Sequence, residues 1–283
     1  MAPDTVTPWT SVRVLPDASS MAARTACLAA LFAEGAQGVH EDGAALVTHF
    51  PPGTDLTGVH RALSDADAAV AIVTAAVPDV DWGEAWKARI VSHELGPLTV
   101  APPWLVQGRD LATTIVIEPG MAFGTGDHPT TRGVVRLLPT VLRVGDVVAD
   151  LGAGSAVLAI AAAKLGASRV YAIEMDRDAI PDAEANVVRN AVSDRVHVFE
   201  ADAGVLLPLL APVRVVLANI ISSVLQELLP TIAASLSPDG AAIVSGILLE
   251  ERDMMWAFLS ATGWQVLQED AEGIWWSASI ARG

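Results

Sequence analysis

Over the first 77 residues the spacing of apolar positions changes period several times. Residues 11–15 alternate in the manner of a strand, and residues 21–34, rich in alanine, follow a helical period. Residues 38–41 and 45–50 read as two strands around a turn at Asp42-Gly43. A second helix is predicted over 54–67, after Pro51-Pro52-Gly53, with Leu56, Val59, His60 and Leu63 on one face. The charge-free run 69–77 then predicts a buried strand. The order β-α-β-β-α-β is the split βαβ, or ferredoxin-like, α+β arrangement.

The pattern breaks next, where Pro97, Pro102 and Pro103 accumulate and Trp82 and Trp86 stand four residues apart. Residues 80–103 read as a linker, and the tryptophan pair as a staple between a helix and a core. From Ile115 onward apolar strands alternate with helices, with strands predicted at 147–149, 170–173, 197–199, 213–218 and 241–245. That alternation predicts a parallel, doubly wound α/β sheet. The expected division is a small domain over 1–79, the linker over 80–103 and the α/β domain over 104–283.

Composition narrows the classes. Of 283 residues, 52% are apolar and 18% charged, enough to bury a large core. The charge-free runs are too short to span a bilayer, and the first residues, with an acid and two prolines, lack the pattern of a secretory signal. A cytoplasmic protein without a membrane span is expected. Cys27 is the one cysteine, which excludes an intrachain disulfide and a thiolate metal cluster, and it reads as a small buried hydrophobe. Thirty-three acids against 17 bases give a net charge of −16, and Lys87 and Lys164 are the only lysines. Direct binding of nucleic acid is therefore disfavoured, and a basic or neutral partner fits better.

The strongest local signal is Val147-Val-Ala-Asp150-Leu-Gly152-Ala-Gly154-Ser, a strand running into a glycine turn and then a helix. Glycines let a ligand approach the backbone there, and the helix start offers free N–H groups. Gly152 and Gly154 are thus candidate ligand-binding positions. A dinucleotide site needs a third glycine where Val157 stands, and a carboxylate at Asp150 repels a pyrophosphate. Asp150 instead suits an ammonium, such as the one S-adenosylmethionine carries. Glu174, at the end of the next strand and 22 residues beyond Gly152, suits the two ribose hydroxyls. Asp202, at the end of the third strand, suits the adenine edge. Asp176, Asp178 and Asp182 read as acids favoured by a helix N-terminus.

These segments, with Glu118-Pro-Gly-Met-Ala-Phe-Gly124-Thr-Gly126-Asp-His-Pro-Thr-Thr131, Ala218-Asn219-Ile220 and Ser245-Gly246-Ile247-Leu248, resemble the bacterial methyltransferases of large-subunit ribosomal protein eleven, the PrmA family. The likeness covers residues 80–283, and the predicted small domain and linker match that family's plan. The resemblance implies a Rossmann-like class I methyltransferase domain that uses S-adenosylmethionine to methylate lysine and N-terminal amines of a basic ribosomal protein. It also implies that the small domain recognises the substrate and that Thr131, Gly152, Glu174 and Asn219 hold the cofactor. Three positions depart from the family pattern: Asp127 replaces a usual threonine, Ala156 a common glycine, and Glu174 a usual aspartate.

Read on its own, the segment 120–131 is rich in glycine yet apolar at Met121, Ala122 and Phe123, which suits a lid. Phe123 would face a sulfonium, and His128, before Pro129, reads as a loop-fixing hydrogen-bonder. Asn219 is the candidate catalytic residue, because an amide orients a neutral amine without stabilising its ammonium form as a carboxylate would. Ile220 and Ile221 follow it, where enzymes acting on planar amides or bases place prolines and an aromatic ring. The alternatives left open are a methyltransferase of lysines on another protein, a nicotinamide-dependent oxidoreductase on the same sheet type, and an inactive cofactor-binding module.

Overall fold

The computed structural model describes residues 9–17, 20–77, 87, 90–120 and 122–283. Trp82 and Trp86, and the predicted linker up to residue 89 apart from Lys87, lie outside the described residues. The chain forms two compact units that divide between Arg89 and Ile90.

In the first unit, β1 (Thr10–Leu15), α1 (Met21–Ala33), β2 (His40–Asp42), β3 (Ala45–Phe50), α2 (Leu56–Ala66) and β4 (Ala71–Ala76) follow the predicted order. The sheet runs β2-β3-β1-β4, with β1 antiparallel to both neighbours. Side-chain oxygens of Ser20 and Asp55 cap the two helices by accepting from the backbone N–H of Ala23 and Thr57. Val12, Val14, Cys27, Leu31, Phe50, Val59 and Leu63 form the core, so Cys27 is the buried hydrophobe its neighbourhood predicts. The run 69–77 is not a buried strand. As β4 it is the edge of the sheet and exposed along its length, with only Ile72 packed against the core. An absence of charge reads as burial, but alanine and threonine tolerate an edge.

The second unit begins inside the predicted linker. β5 (His93–Leu95) and β6 (Leu98–Ala101) form a hairpin, and β7 (Thr114–Val116) adds to β6 in parallel. Pro97 occupies the hairpin turn and Pro102 and Pro103 the turn after β6, so these prolines punctuate strands and do not mark an unstructured tract.

The main sheet has seven strands in the order β10-β9-β8-β11-β12-β14-β13. These are β8 (Val147–Leu151), β9 (Arg169–Glu174), β10 (Val196–Glu200), β11 (Val213–Asn219), β12 (Leu236–Leu248), β13 (Trp264–Glu272) and β14 (Trp275–Arg282). The five strands β8 to β12 are parallel, as predicted, and β14 slots antiparallel between β12 and β13. One face carries α3 (Pro129–Val141), α4 (Val157–Lys164) and α5 (Ile180–Arg189). The other carries α6 (Ala203–Leu210), α7 (Ser222–Ser235) and α8 (Arg252–Ala261). This parallel sheet with two covered faces leaves the carboxyl ends of β8, β9 and β11 open to loops, where α/β sheets hold ligands.

Helix α4 is apolar on every side and buried from Val157 to Ala163, as a helix pressed between layers must be. Its alanines let it lie close to β8 and β9, and Ile160 is its largest fully buried side chain. Ile160→Ala should therefore cost about 2–5 kcal/mol in urea unfolding. A loss below about 1 kcal/mol would show that this layer is not tightly packed.

Candidate cofactor site at the carboxyl ends of the parallel strands

The turn after β8 is built from left-handed backbone, with φ of +67° at Gly152, +51° at Gly154 and +64° at Ala156. Ala156 is thus an alanine in a conformation suited to glycine. Gly152 and Ala153 donate their N–H groups to the carbonyl of Ile173 (2.9 and 3.1 Å), which straps the turn to the end of β9. Glu174, almost fully buried, completes that strap. One carboxylate oxygen accepts from the Gly154 N–H and the other from the Asp176 N–H, each at 2.8 Å. Each oxygen retains a second lone pair, so the carboxylate can still accept from a ligand's hydroxyls.

Asp150 lies elsewhere than the sequence reading put it. It is fully buried beneath the turn, with Oδ2 accepting from the Ala159 N–H of α4 at 2.9 Å and Oδ1 without a partner among the described residues. The pleat explains this: Val148, two residues earlier on the same strand face, packs in the core that α4 shares. Burial pushes the carboxyl up to about 7, opposed by the Ala159 hydrogen bond and assisted by the negative charge of Glu174.

The predicted lid segment, whose described residues are 120 and 122–131, rests on the glycine turn through Phe123 and Gly124. Ser155 donates its N–H to the carbonyl of Phe123 (2.9 Å) and its hydroxyl to the carbonyl of Gly124 (2.6 Å). A Cβ on Gly154 would strike the Phe123 carbonyl, so that glycine is needed for the close approach. The Phe123 ring is more than half exposed and meets His128 edge-on at 5.3 Å, and His128 meets Trp275 at 4.9 Å. His128 caps α3 and fixes the loop, its Nδ1 2.7 Å from the Thr130 hydroxyl. Burial, with the nearby Arg132 cation, holds the imidazole below its usual range and favours the neutral ring. Asp127 anchors the base of the loop through the His93 Nε2 at 3.0 Å and through Arg132.

Thr131 is wholly buried, and its hydroxyl has no partner among the described residues. Asn219 ends β11 in register with Ser245 and is half-buried; its amide makes no side-chain hydrogen bond among the described residues. The neighbouring Ile220 approaches Gly152 closely, since a Cβ there would lie 3.0 Å from the Ile220 Cγ2. Asp202 caps α6 through the Gly204 N–H and lines a cavity of about 190 Å³ with Gly152, Ile173, Met175 and Ile220. Gly152, Gly154, Glu174, Asp202 and Asn219 therefore converge, Phe123 joins them through its backbone, and Asp150 supports the turn from below.

Sequence reasoning missed Trp275, Asn186 and Asn190. The two asparagines are buried on α5, and the repeat Asp182, Asn186, Asn190 at every fourth residue was the available signal. Asp182 does more than favour a helix start, because its Oδ2 accepts from the Ala122 N–H at 3.2 Å. The residues present fit S-adenosylmethionine. Gly152 lines the cavity beside Asp202, a carboxylate with free lone pairs stands at the β9 end, and Thr131 keeps a buried hydroxyl without a partner among the described residues. No group of three or more metal-ligating side chains lies together among the described residues.

Asp150 sets a pH dependence. In the fold its carboxyl keeps a proton to about pH 7, whereas at its usual value of 3.8 the unfolded chain releases it. The unfolded state then binds fewer protons between those limits. Stability falls as pH rises through the window, by on the order of 4 kcal/mol in all. Asp150→Asn keeps the acceptor for Ala159 and cannot ionise. The stability difference between variant and parent in urea should therefore grow in the variant's favour from pH 4.5 to pH 8, and parallel curves would contradict this.

A family profile described as "Ribosomal protein L11 methyltransferase (PrmA)" matches residues 17–282. The ribosomal protein L11 methyltransferase of Thermus thermophilus is 36% identical over 251 residues, 88% of this chain and 91% of its own. That of Pelotomaculum thermopropionicum is 39% identical over 209 residues, 73% of this chain and 67% of its own. The solved structure of the ribosomal protein L11 methylase from Lactobacillus delbrueckii subsp. bulgaricus superposes with a TM-score of 0.59 at 28% identity, covering 68% of this chain and 99% of that one. With a parallel sheet that opens a glycine turn beside a buried carboxylate, and with a match along nearly its whole length, the chain belongs to the ribosomal protein L11 methyltransferase family and is an S-adenosylmethionine-dependent protein methyltransferase.

Proposed function

We propose that this enzyme methylates amine nitrogens of ribosomal protein L11, both lysine side chains and the N-terminal amine. The names of its relatives support the substrate, and the placement of Asn219 supports the chemistry. That amide ends β11 beside the glycine turn, is followed by Ile220 and Ile221, and keeps its hydrogen-bonding groups uncommitted among the described residues.

S-adenosylmethionine, when bound, supplies an electrophilic methyl group on a sulfonium. In this reading Glu174 accepts from the ribose hydroxyls, Gly152 admits the ligand to the backbone while Gly154 makes room for the Phe123 carbonyl, Asp202 meets the adenine edge, and Thr131 offers its buried hydroxyl. Phe123 and its loop cover the site and exclude water. An amine is nucleophilic only when neutral, and at pH 7 that costs roughly 4.6 kcal/mol for a lysine but about 1 kcal/mol for an N-terminal amine. The Asn219 oxygen accepts an amine N–H while adding no negative charge, so it orients the nitrogen without strengthening its hold on the proton. Alignment then supplies most of the acceleration.

Residues 1–79 carry nine acids against three bases, Arg13, Arg24 and Arg61. In our reading this small domain recognises the substrate, and its charge suits a basic protein far better than nucleic acid. No described helix is long and apolar enough to cross a membrane.

Incubation with S-adenosylmethionine and recombinant L11 should add mass to L11 in methyl increments, read by intact-mass spectrometry. An unchanged L11 mass in the presence of an enzyme shown by calorimetry to bind the cofactor would overturn the substrate assignment. Asn219→Ala should lower turnover at saturating cofactor at least about tenfold, or about 1.4 kcal/mol, while changing cofactor affinity less than about threefold. Normal turnover with collapsed affinity would make Asn219 a binding residue only.

A further inference from the structure

Asp182, Asn186 and Asn190 recur at every fourth residue along α5 and its C-cap, so they lie on one helix face. That face meets the backbone at the end of β7 and just beyond it. Asn190 accepts from the Val116 N–H at 2.8 Å and donates to the Val116 carbonyl at 2.7 Å, and it donates again to the Asn186 carbonyl at 2.8 Å. Asn186 accepts from the Glu118 N–H at 3.0 Å, and Asp182 accepts from the Ala122 N–H. On the opposite edge of the same segment, Ile117 donates to the Ala101 carbonyl of β6 at 3.1 Å. Successive N–H groups of an extended chain point to opposite sides, so the side-chain amides of α5 stand where a further strand would pair. Gly120 fits the ladder closely, because a Cβ there would strike the Asp182 carboxylate. Arg189 adds a hydrogen bond to the Asn186 Oδ1 at 2.6 Å and lies 3.4 Å from the Glu118 carboxylate.

Asn186 differs from its two neighbours in one respect. Its Nδ2 donates to the carbonyl of Ser155, inside the glycine turn, at 3.1 Å. A single buried amide thus holds the root of the loop with its oxygen and the turn with its nitrogen. Ser155 is also the residue whose N–H and hydroxyl hold the loop at Phe123 and Gly124. The loop is therefore tied to the turn at two places, once through its tip and once through its root.

We propose that Asn186 is a positioning residue for cofactor binding, joining the root of the lid to the glycine turn so that both are set as one piece, while Asp182 holds the lid at Ala122 and Asn190 holds β7 at Val116. This rests on reading the segment 120–131 as a lid over the cofactor. Asn190 touches β7 and its own helix but not the turn, so it serves as the structural comparison.

The test is calorimetric titration of S-adenosylmethionine, together with hydrogen exchange in residues 118–126 with and without it. In the parent, cofactor should slow exchange there. A parent that binds cofactor but shows no slowing would overturn the lid reading, and the proposal with it. Asn186→Asp keeps the acceptor for Glu118 but sets an oxygen against the Ser155 carbonyl. It should weaken binding at least tenfold and abolish the slowing. Asn186→Ser removes both contacts without burying a charge and should weaken binding to a similar degree, which covers the case in which the aspartate variant does not fold. Asn190→Leu should lower the melting temperature at least as much while changing affinity less than threefold. Parental affinity in either folded Asn186 variant overturns the proposal, as does a loss of affinity in Asn190→Leu matching theirs, since a merely structural role would make affinity follow stability.

Discussion

The hydrogen bond from the Gly154 N–H to the Glu174 carboxylate, 2.8 Å long and almost fully buried, is the contact on which the site depends. It joins the loop after β8 to the end of β9, and a hydrogen bond to a charged acceptor is worth about 1.5–3 kcal/mol. The left-handed turn needs such a strap, because Gly152, Gly154 and Ala156 all hold positive φ within five residues. Of the residues proposed to touch or cover the cofactor, Gly152, Glu174 and Phe123 belong to this turn or are bonded to it. Ile220 lies against Gly152, the loop at Phe123 and Gly124 is held by Ser155, and α5 reaches the turn through Asn186.

A second carboxyl beneath the same turn has the opposite character. Glu174 accepts two backbone N–H groups, whereas Asp150 accepts one and is driven up to about 7 by burial. Burial is the larger cause of that rise, and the negative charge of Glu174 adds to it. A carboxylate with free lone pairs at the β9 end suits a ligand with hydroxyl donors better than one with a pyrophosphate.

The glycine turn and Glu174 were legible because a change of apolar period and two glycines at a strand end leave few conformations to choose from. The split βαβ order and the parallel strands were legible for the same reason of period. Other features were hidden by specific causes. β14 buries Ser277 and Ser279 on a strand that has helices on both faces of its sheet, so its sequence lacks the apolar run expected of an inner strand. β4 looked buried because it lacks charge, and the prolines near residue 100 looked like a linker because turns and linkers share them. Asp150 is legible as a strand-end acid, and the alternation from Val148 carries the side on which it lies, under the turn. The α5 ladder escaped notice because asparagines on an amphipathic helix read as its solvated face, and only the packed structure shows that Asn186 and Asn190 are the buried ones.

The most direct measurement is calorimetric titration of S-adenosylmethionine into Gly154→Ala alongside the parent protein. An added methyl at this left-handed position meets the Phe123 carbonyl and strains the strap to Glu174, so affinity should fall at least tenfold while the urea midpoint moves far less than it does for a core truncation. Parental affinity in a folded Gly154→Ala protein would contradict the account, because the turn would then tolerate the one change that its geometry forbids.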